Sequence, residues 1–133
     1  MYLLDTNACI RFLNGRSPSL RDRLLSQSRQ EICVCSVTKA ELYFGAYRSN
    51  RVAENIRSLQ SFLNPVKSFA FDDSCVDTYG RIRADLQRQG TPIGNNDLLI
   101  AAIALTNSLT LVTANTREFA RVTGLQLENW ELP

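Results

Sequence analysis

Histidine is absent from this chain of 133 residues. That removes Ser-His-Asp and Cys-His catalysis, in which an imidazole titrating near neutrality moves the proton. A zinc centre also loses its usual nitrogen ligand, and the four cysteines, with no Cys-x-x-Cys pair among them, do not replace it. Cys33 and Cys35 fall on the same face of one strand, a poor geometry for bonding to each other. With Cys9 and Cys75 they are expected as buried, reduced thiols. Long apolar runs are missing too: the longest, Leu98 to Leu105, falls far short of the ~18 residues a membrane span requires, so no membrane partner is expected. A carboxylate at position 5 and an opening strand do not resemble a secretory signal, and a cytoplasmic location is expected. Lysine is scarce. Lys39 and Lys67 are the only two, so the remaining cations are arginines, which suit bidentate phosphate and carboxylate contacts. The net charge of +2 is too small to imply a nucleic-acid partner by itself. Any chemistry must run on carboxylates, amides and hydroxyls, most simply with a metal ion.

What is present reads as strands alternating with helices over residues 1–133, one domain with enough apolar residues (44%) to bury its own core. Tyr2-Leu3-Leu4 is an apolar run too short for a helix, hence a buried strand, and it stops on Asp5. A short helix follows from Ala8 to Asn14 and ends at Gly15; Ser17-Pro18 starts another, with Leu20, Leu24 and Leu25 as its apolar face. Ile32 to Cys35 is a second buried strand. Ser36 or Thr38 then caps a helix with a stripe of Ala40, Tyr43, Phe44 and Tyr47, an aromatic row expected to be core, part of which could serve as a groove for an amphipathic partner helix. Arg51 to Leu63 is a further helix, Val66 to Phe71 a third strand, and Asp72-Asp73 a cap for a helix carrying Val76, Tyr79, Ile82 and Leu86. Gly90 ends that helix. After the loop from Thr91 to Asn96, Asp97 opens a helix apolar on nearly every side, the mark of one packed mid-domain. Leu109 to Thr113 is a strand, Asn115 to Phe119 a helical turn and Leu125 to Trp130 a last strand. The expected class is α/β, with a mainly parallel sheet of about five strands flanked by helices.

Four acidic or amide points coincide: Asp5 follows the first strand, Glu41 sits shortly after the second, Asp97 starts the most buried helix, and Asn115 with Glu118 follow the Leu109 strand. In a parallel sheet the strand ends face one edge, where ligands bind. Carboxylates gathered there repel and cannot all stay ionised without a cation. Oxygen-only ligands select a hard divalent ion such as Mg2+ or Mn2+, which can activate water and screen a phosphate. Each group also has an ordinary role open to it. Asp5 fits an N-cap, Thr38-x-x-Glu41 a capping box, Asp97 a helix N-terminus, Asn115 a turn and Glu118 a solvated helix face. Asp22, Glu54, Asp85 and Glu131 read as solvated surface.

This spacing resembles the PIN-domain ribonucleases and, within them, the VapC-type toxins of bacterial toxin–antitoxin pairs. The resemblance rests on Leu3-Leu4-Asp5-Thr6-Asn7, Thr38-Lys39-Ala40-Glu41-Leu42 with Gly45, and Pro92-Ile93-Gly94-Asn95-Asn96-Asp97 with Leu99-Ile100-Ala101. It continues through Leu111-Val112-Thr113, Glu118-Phe119 and the tail from Gly124-Leu125 to Glu128-Asn129-Trp130. The resemblance implies a PIN-like fold in which Asp5, Glu41 and Asp97 are catalytic carboxylates and Asp5 and Asp97 hold the metal. Many members carry a fourth aspartate where this chain has Asn115; others use a glutamate a turn later, which Glu118 matches. Thr6, Asn7, Thr113 and Asn115 are then expected to orient the carboxylates from behind. One or two Mg2+ ions (Mn2+ as substitute), ~3.5–4 Å apart if paired, are implied, activating water to cut an RNA phosphodiester in line with 5′-phosphate and 3′-hydroxyl products. A structured, tRNA-like substrate, a VapB-type antitoxin and a homodimer are implied as well.

Two other enzyme classes fall on single residues. A haloacid-dehalogenase phosphatase needs a second aspartate where Asn7 stands, and a phospho-receiver needs a lysine at a late strand end. The remaining rival is a non-catalytic RNA-binding domain of the same fold, with Arg11, Arg81, Arg83, Arg117 and Arg121 as phosphate contacts. Such a docking groove has no use for buried negative charge, and the four carboxylates argue against it. Arg83, between Ile82 and Leu86, has a buried or interface ion pair open to it instead.

Overall fold

The computed structural model describes residues 1–133 throughout. Five strands, β1 (Tyr2–Leu4), β2 (Ile32–Cys35), β3 (Lys67–Phe69), β4 (Thr110–Val112) and β5 (Gln126–Glu128), form one sheet in the order β3-β2-β1-β4-β5. Every pairing is parallel, as the alternation of strands and helices requires. β1 lies at the centre, with Leu3 beside Cys33 on one flank and Leu111 on the other. The chain builds outward to β3 first, then returns to the other side of β1 for β4 and β5. The order therefore reverses between β1 and β4, and at such a switch point the flanking connections part to leave a crevice.

Neighbouring residues of each strand serve opposite cores, because side chains alternate across a pleated strand. Leu3, Cys33, Cys35 and Leu111 pack under α5 (Val76–Arg88) and α6 (Asn95–Thr106), among Ile82, Leu86 and Ile100 to Ala104. Leu4, Val34 and Val112 face α1 (Thr6–Asn14), α2 (Pro18–Ser26), α3 (Ser36–Tyr47) and α4 (Val52–Leu63), through Cys9, Leu20, Leu42, Leu59 and Leu63. A short α7 (Thr116–Phe119) joins β4 to β5. All four thiols are free and buried, and burial pushes Cys9, Cys33 and Cys35 up, so they stay protonated and inert.

Several boundaries differ from the sequence reading. The outer strands are shorter than the apolar runs that suggest them: Lys67–Phe69 instead of Val66 to Phe71, and Gln126–Glu128 instead of Leu125 to Trp130. Each is an edge strand with one partner, and the ladder stops where that partner's does. α6 begins at Asn95, so Asp97 stands third in the helix instead of opening it. The largest departure is on α3. Its buried residues are Thr38, Leu42 and Ala46, while Phe44 is 64% and Tyr47 65% exposed. α3 turns Phe44 and Tyr47 outward because Leu42 and Ala46 pack towards α1 and α4, while Tyr43 stays half-buried against that core. Arg83, free of any carboxylate partner, donates to the Tyr79 hydroxyl at 2.9 Å on the surface of α5.

Candidate active site

Asp5 closes β1 and caps α1 at once. Its Oδ1 accepts from the Ala8 N–H at 2.8 Å, while its own N–H donates to the Val112 carbonyl at 3.1 Å. The cap and the cleft are the same position, because the strand ends where the helix begins. Asp5 is 5% exposed. Burial raises its pKa, the Thr113 hydroxyl and the Ala8 N–H partly offset this, and Glu131 and Glu41 add repulsion.

Glu41 does not take part in a capping box. α3 starts at Ser36, which puts Thr38 inside the helix and fully buried. The Thr6 hydroxyl, from the first turn of α1, instead donates to Glu41 Oε1 at 2.6 Å and lies 3.2 Å from the Thr38 hydroxyl. Two helices are thus clasped behind the carboxylate. Glu118 is gripped as firmly from the other side: the Gly94 N–H donates to its Oε1 at 3.1 Å and the Asn115 amide to its Oε2 at 2.9 Å. Those donors hold Glu118 below its usual carboxylate range.

Asp97 bears the cost of this convergence. It is pushed up to about 6, by burial first and then by Glu118, Asp5 and Glu41. Of two neighbouring carboxylates, the one with hydrogen-bond donors loses its proton first and the half-buried one without them keeps its proton to a higher pH. Asp97 and Glu41 line one polar hollow with Gly94, Asn95 and Asn96. Asp5, Asn7 and Asn115 line a second cavity.

The supporting residues divide. Thr113 is buried, accepts from the Asn115 N–H at 2.9 Å and serves Asp5; Thr6 and Asn115 hold Glu41 and Glu118. Asn7 departs from expectation: it is exposed and hydrogen-bonded to no carboxylate. The sequence reading missed Thr38, whose spacing from Glu41 was visible but fitted a cap, and the Gly94 N–H, for which a backbone donor leaves no signal. It also misread Glu131, which is not solvated. Its side chain is 14% exposed and paired with Arg11.

The donors are hard oxygens that repel one another, and none of the four carboxylates is ion-paired to a lysine or arginine. No three acidic side chains converge tightly enough to enclose an ion between them. The hard oxygen donors themselves are of the kind that hold a divalent ion such as magnesium, for which one or two carboxylates with waters and a substrate phosphate suffice.

Residues 2–125 match the PIN domain family, and the chain belongs to it. Ribonuclease VapC2 of Rickettsia felis is 39% identical over 132 residues, covering 98% of each chain. The tRNA(fMet)-specific endonuclease VapC of Shigella flexneri is 38% identical over 129 residues, 97% of each. In the crystal structure of Rickettsia felis VapBC2 bound to a DNA fragment from their promoter, a chain 38% identical to this one superposes with a TM-score of 0.91, over 97% of this chain and 98% of that one. The chain therefore stands among the VapC ribonucleases of the PIN domain family.

Proposed function

We propose that this chain is a magnesium-dependent endoribonuclease, the toxin of a toxin–antitoxin pair, that cuts structured RNA of the transfer-RNA kind. The observation that carries the reading is the gathering of Asp97 with Glu118, Asp5 and Glu41, where burial first and then the three other carboxylates raise Asp97 and no lysine or arginine is ion-paired to any of the four. Asp5 and Asp97 would hold the ion, with Glu41 and Glu118 beside it. When bound, it supplies the charge that screens the phosphate and an activated water. The chain's own part is positional: Thr6, Thr113 and Asn115 fix three carboxylates so that little rearrangement is left for the reaction. Mn2+, with the same preference for oxygen, should substitute. Asp5→Asn and Asp97→Asn should each abolish RNA cleavage while the protein stays folded by circular dichroism. Full activity in either variant, or undiminished cleavage in EDTA, would sink the mechanism.

The VapBC relative supports a VapB-type partner. An apolar groove of about 440 Å3 runs between α1, α3 and α4, lined by Ile10, Leu13, Leu42, Ala46 and Leu59, with Glu41 at its wall. An amphipathic helix seated there could reach the carboxylates with an arginine and so replace the metal's charge. This groove lies beside Leu42 and Ala46, away from the aromatic row of α3. We place the pair in the cytoplasm with its RNA and read the toxin as a homodimer; light scattering giving a single-chain mass would refute the dimer. No helix is long and apolar enough to cross a membrane.

A further inference from the structure

The cavity beside Asp5, about 620 Å3, is walled by Asp5, Asn7, Arg11, Asn14, Arg16 and Glu131. Two guanidinium groups thus share a hollow with a catalytic carboxylate, and the fold holds both there. Arg11 sits on α1, and its Nε–H donates to Glu131 Oε1 from the C-terminal tail, 120 positions on. The tail is fixed independently: Trp130 is fully buried, and the Glu131 N–H donates to Asn129 Oδ1 at 3.0 Å. Arg16 is brought alongside by the end of α1. Gly15 takes the left-handed conformation (φ 70°), so its N–H meets the Phe12 carbonyl and the Arg16 N–H the Arg11 carbonyl at 3.2 Å.

The plain alternative is that Arg11 and Glu131 merely fasten the tail. A fastening pair would gain most from the two-pronged geometry that satisfies both carboxylate oxygens. Here only Nε is used. Oε2 of Glu131 is buried without a partner, and the terminal nitrogens of Arg11 bond to nothing in the chain, on a side chain still about half exposed (47%). The Arg16 guanidinium, also exposed, has no hydrogen bond or ion pair. A guanidinium held by one edge with its terminal nitrogens free, and an unpaired one lining the same hollow, suit phosphate oxygens beside a nuclease carboxylate.

We propose that Arg11 and Arg16 hold backbone phosphates of the RNA strand flanking the bond cut at Asp5, with Glu131 fixing the Arg11 guanidinium by its Nε edge. The inference rests on the ribonuclease reading and names how that site grips its strand. The test is binding of labelled, unfractionated transfer RNA with Ca2+ in place of Mg2+, titrated across KCl concentrations, with cleavage in Mg2+ and melting temperature measured separately. Arg11→Gln and Arg16→Ala should each weaken binding about tenfold. Each should also remove about 0.7 from the slope of log affinity against log salt. Glu131→Gln breaks the same pair but keeps the cation, so it should share any loss of melting temperature with Arg11→Gln and retain the wild-type slope. If Arg11→Gln and Glu131→Gln match in affinity and slope, Arg11 only fastens the tail and the proposal falls; an unchanged Arg16→Ala removes that contact, and a wild type that binds no transfer RNA overturns both. Wild type that binds but does not cleave refutes the ribonuclease reading alone. Wild type that cleaves while both arginine variants bind normally refutes the phosphate contacts alone.

Discussion

At Asp97 the carboxyl group is held near 6 because burial and three neighbouring acids oppose its charge, while Glu118 facing it is held low by two donors. A folded-state pKa raised above the ordinary 3.8 means that Asp97 favours the folded state fully only below that value. Its contribution is lost as pH rises through about 6. In EDTA, Asp97→Asn should therefore melt higher than wild type at pH 8, by about 2–5 °C after allowance for a half-exposed group. The gap should close towards pH 4 and narrow when Mg2+ is added; thermal melts across pH check both. Glu118 supports a second comparison. Since Asn115 acts on it through one amide hydrogen bond, Asn115→Ala should lower kcat by about tenfold. Glu118→Gln should lower it far more, and the reverse ranking in cleavage assays would mean that Asn115 completes the site.

Among the elements, the C-terminal tail does more than end the sheet. Trp130 is buried against Tyr2 with ring centroids 4.9 Å apart in an edge-on arrangement, and its indole N–H donates to Glu128 Oε1 at 2.9 Å. Arg23 of α2 lies over the same ring at 5.3 Å and pairs with Glu128 at 3.1 Å. One aromatic thus ties β5, α2 and the tail to the central strand. Trp130→Ala should cost about 3–5 kcal/mol of stability, read as a fall in the urea midpoint at constant slope. The α1–α3 clasp through Thr6, Thr38 and Glu41 is the comparable tie at the other flank.

For the whole molecule, the carboxylate edge and the apolar groove adjoin at Glu41, so one partner can cover the groove and neutralise the site together. Expressed alone, the chain should arrest growth, and co-expression of the adjacent gene should restore it. Leu13→Asp, which puts a charge in the groove at a surface position, should weaken the complex at least tenfold by calorimetry without lowering the melting temperature. Tyr47→Ser, outside the groove, should weaken it less. A chain that neither arrests growth nor binds its neighbour's product would remove the toxin reading and leave the nuclease reading to the cleavage assays.

The alternation of short apolar runs with helical periods was enough to determine a parallel sheet and its five strands, because each is a local pattern tied to backbone geometry. Asp5, Glu41, Asp97 and Glu118 could be picked out together by their places after strands and in early helix turns, while each alone also fits an ordinary capping or surface role. Packing decided the rest. Whether Thr38 caps α3 or lies buried inside it depends on where α1 comes to rest, and whether Phe44 and Tyr47 are core depends on which face α4 covers. Glu131 reads as solvated until the burial of Trp130 turns it back onto Arg11, across a separation no local pattern records. The Asp97 pKa belongs wholly to the tertiary structure, since it is set by burial and by charges from three other segments that only the strand order β3-β2-β1-β4-β5 brings to one edge.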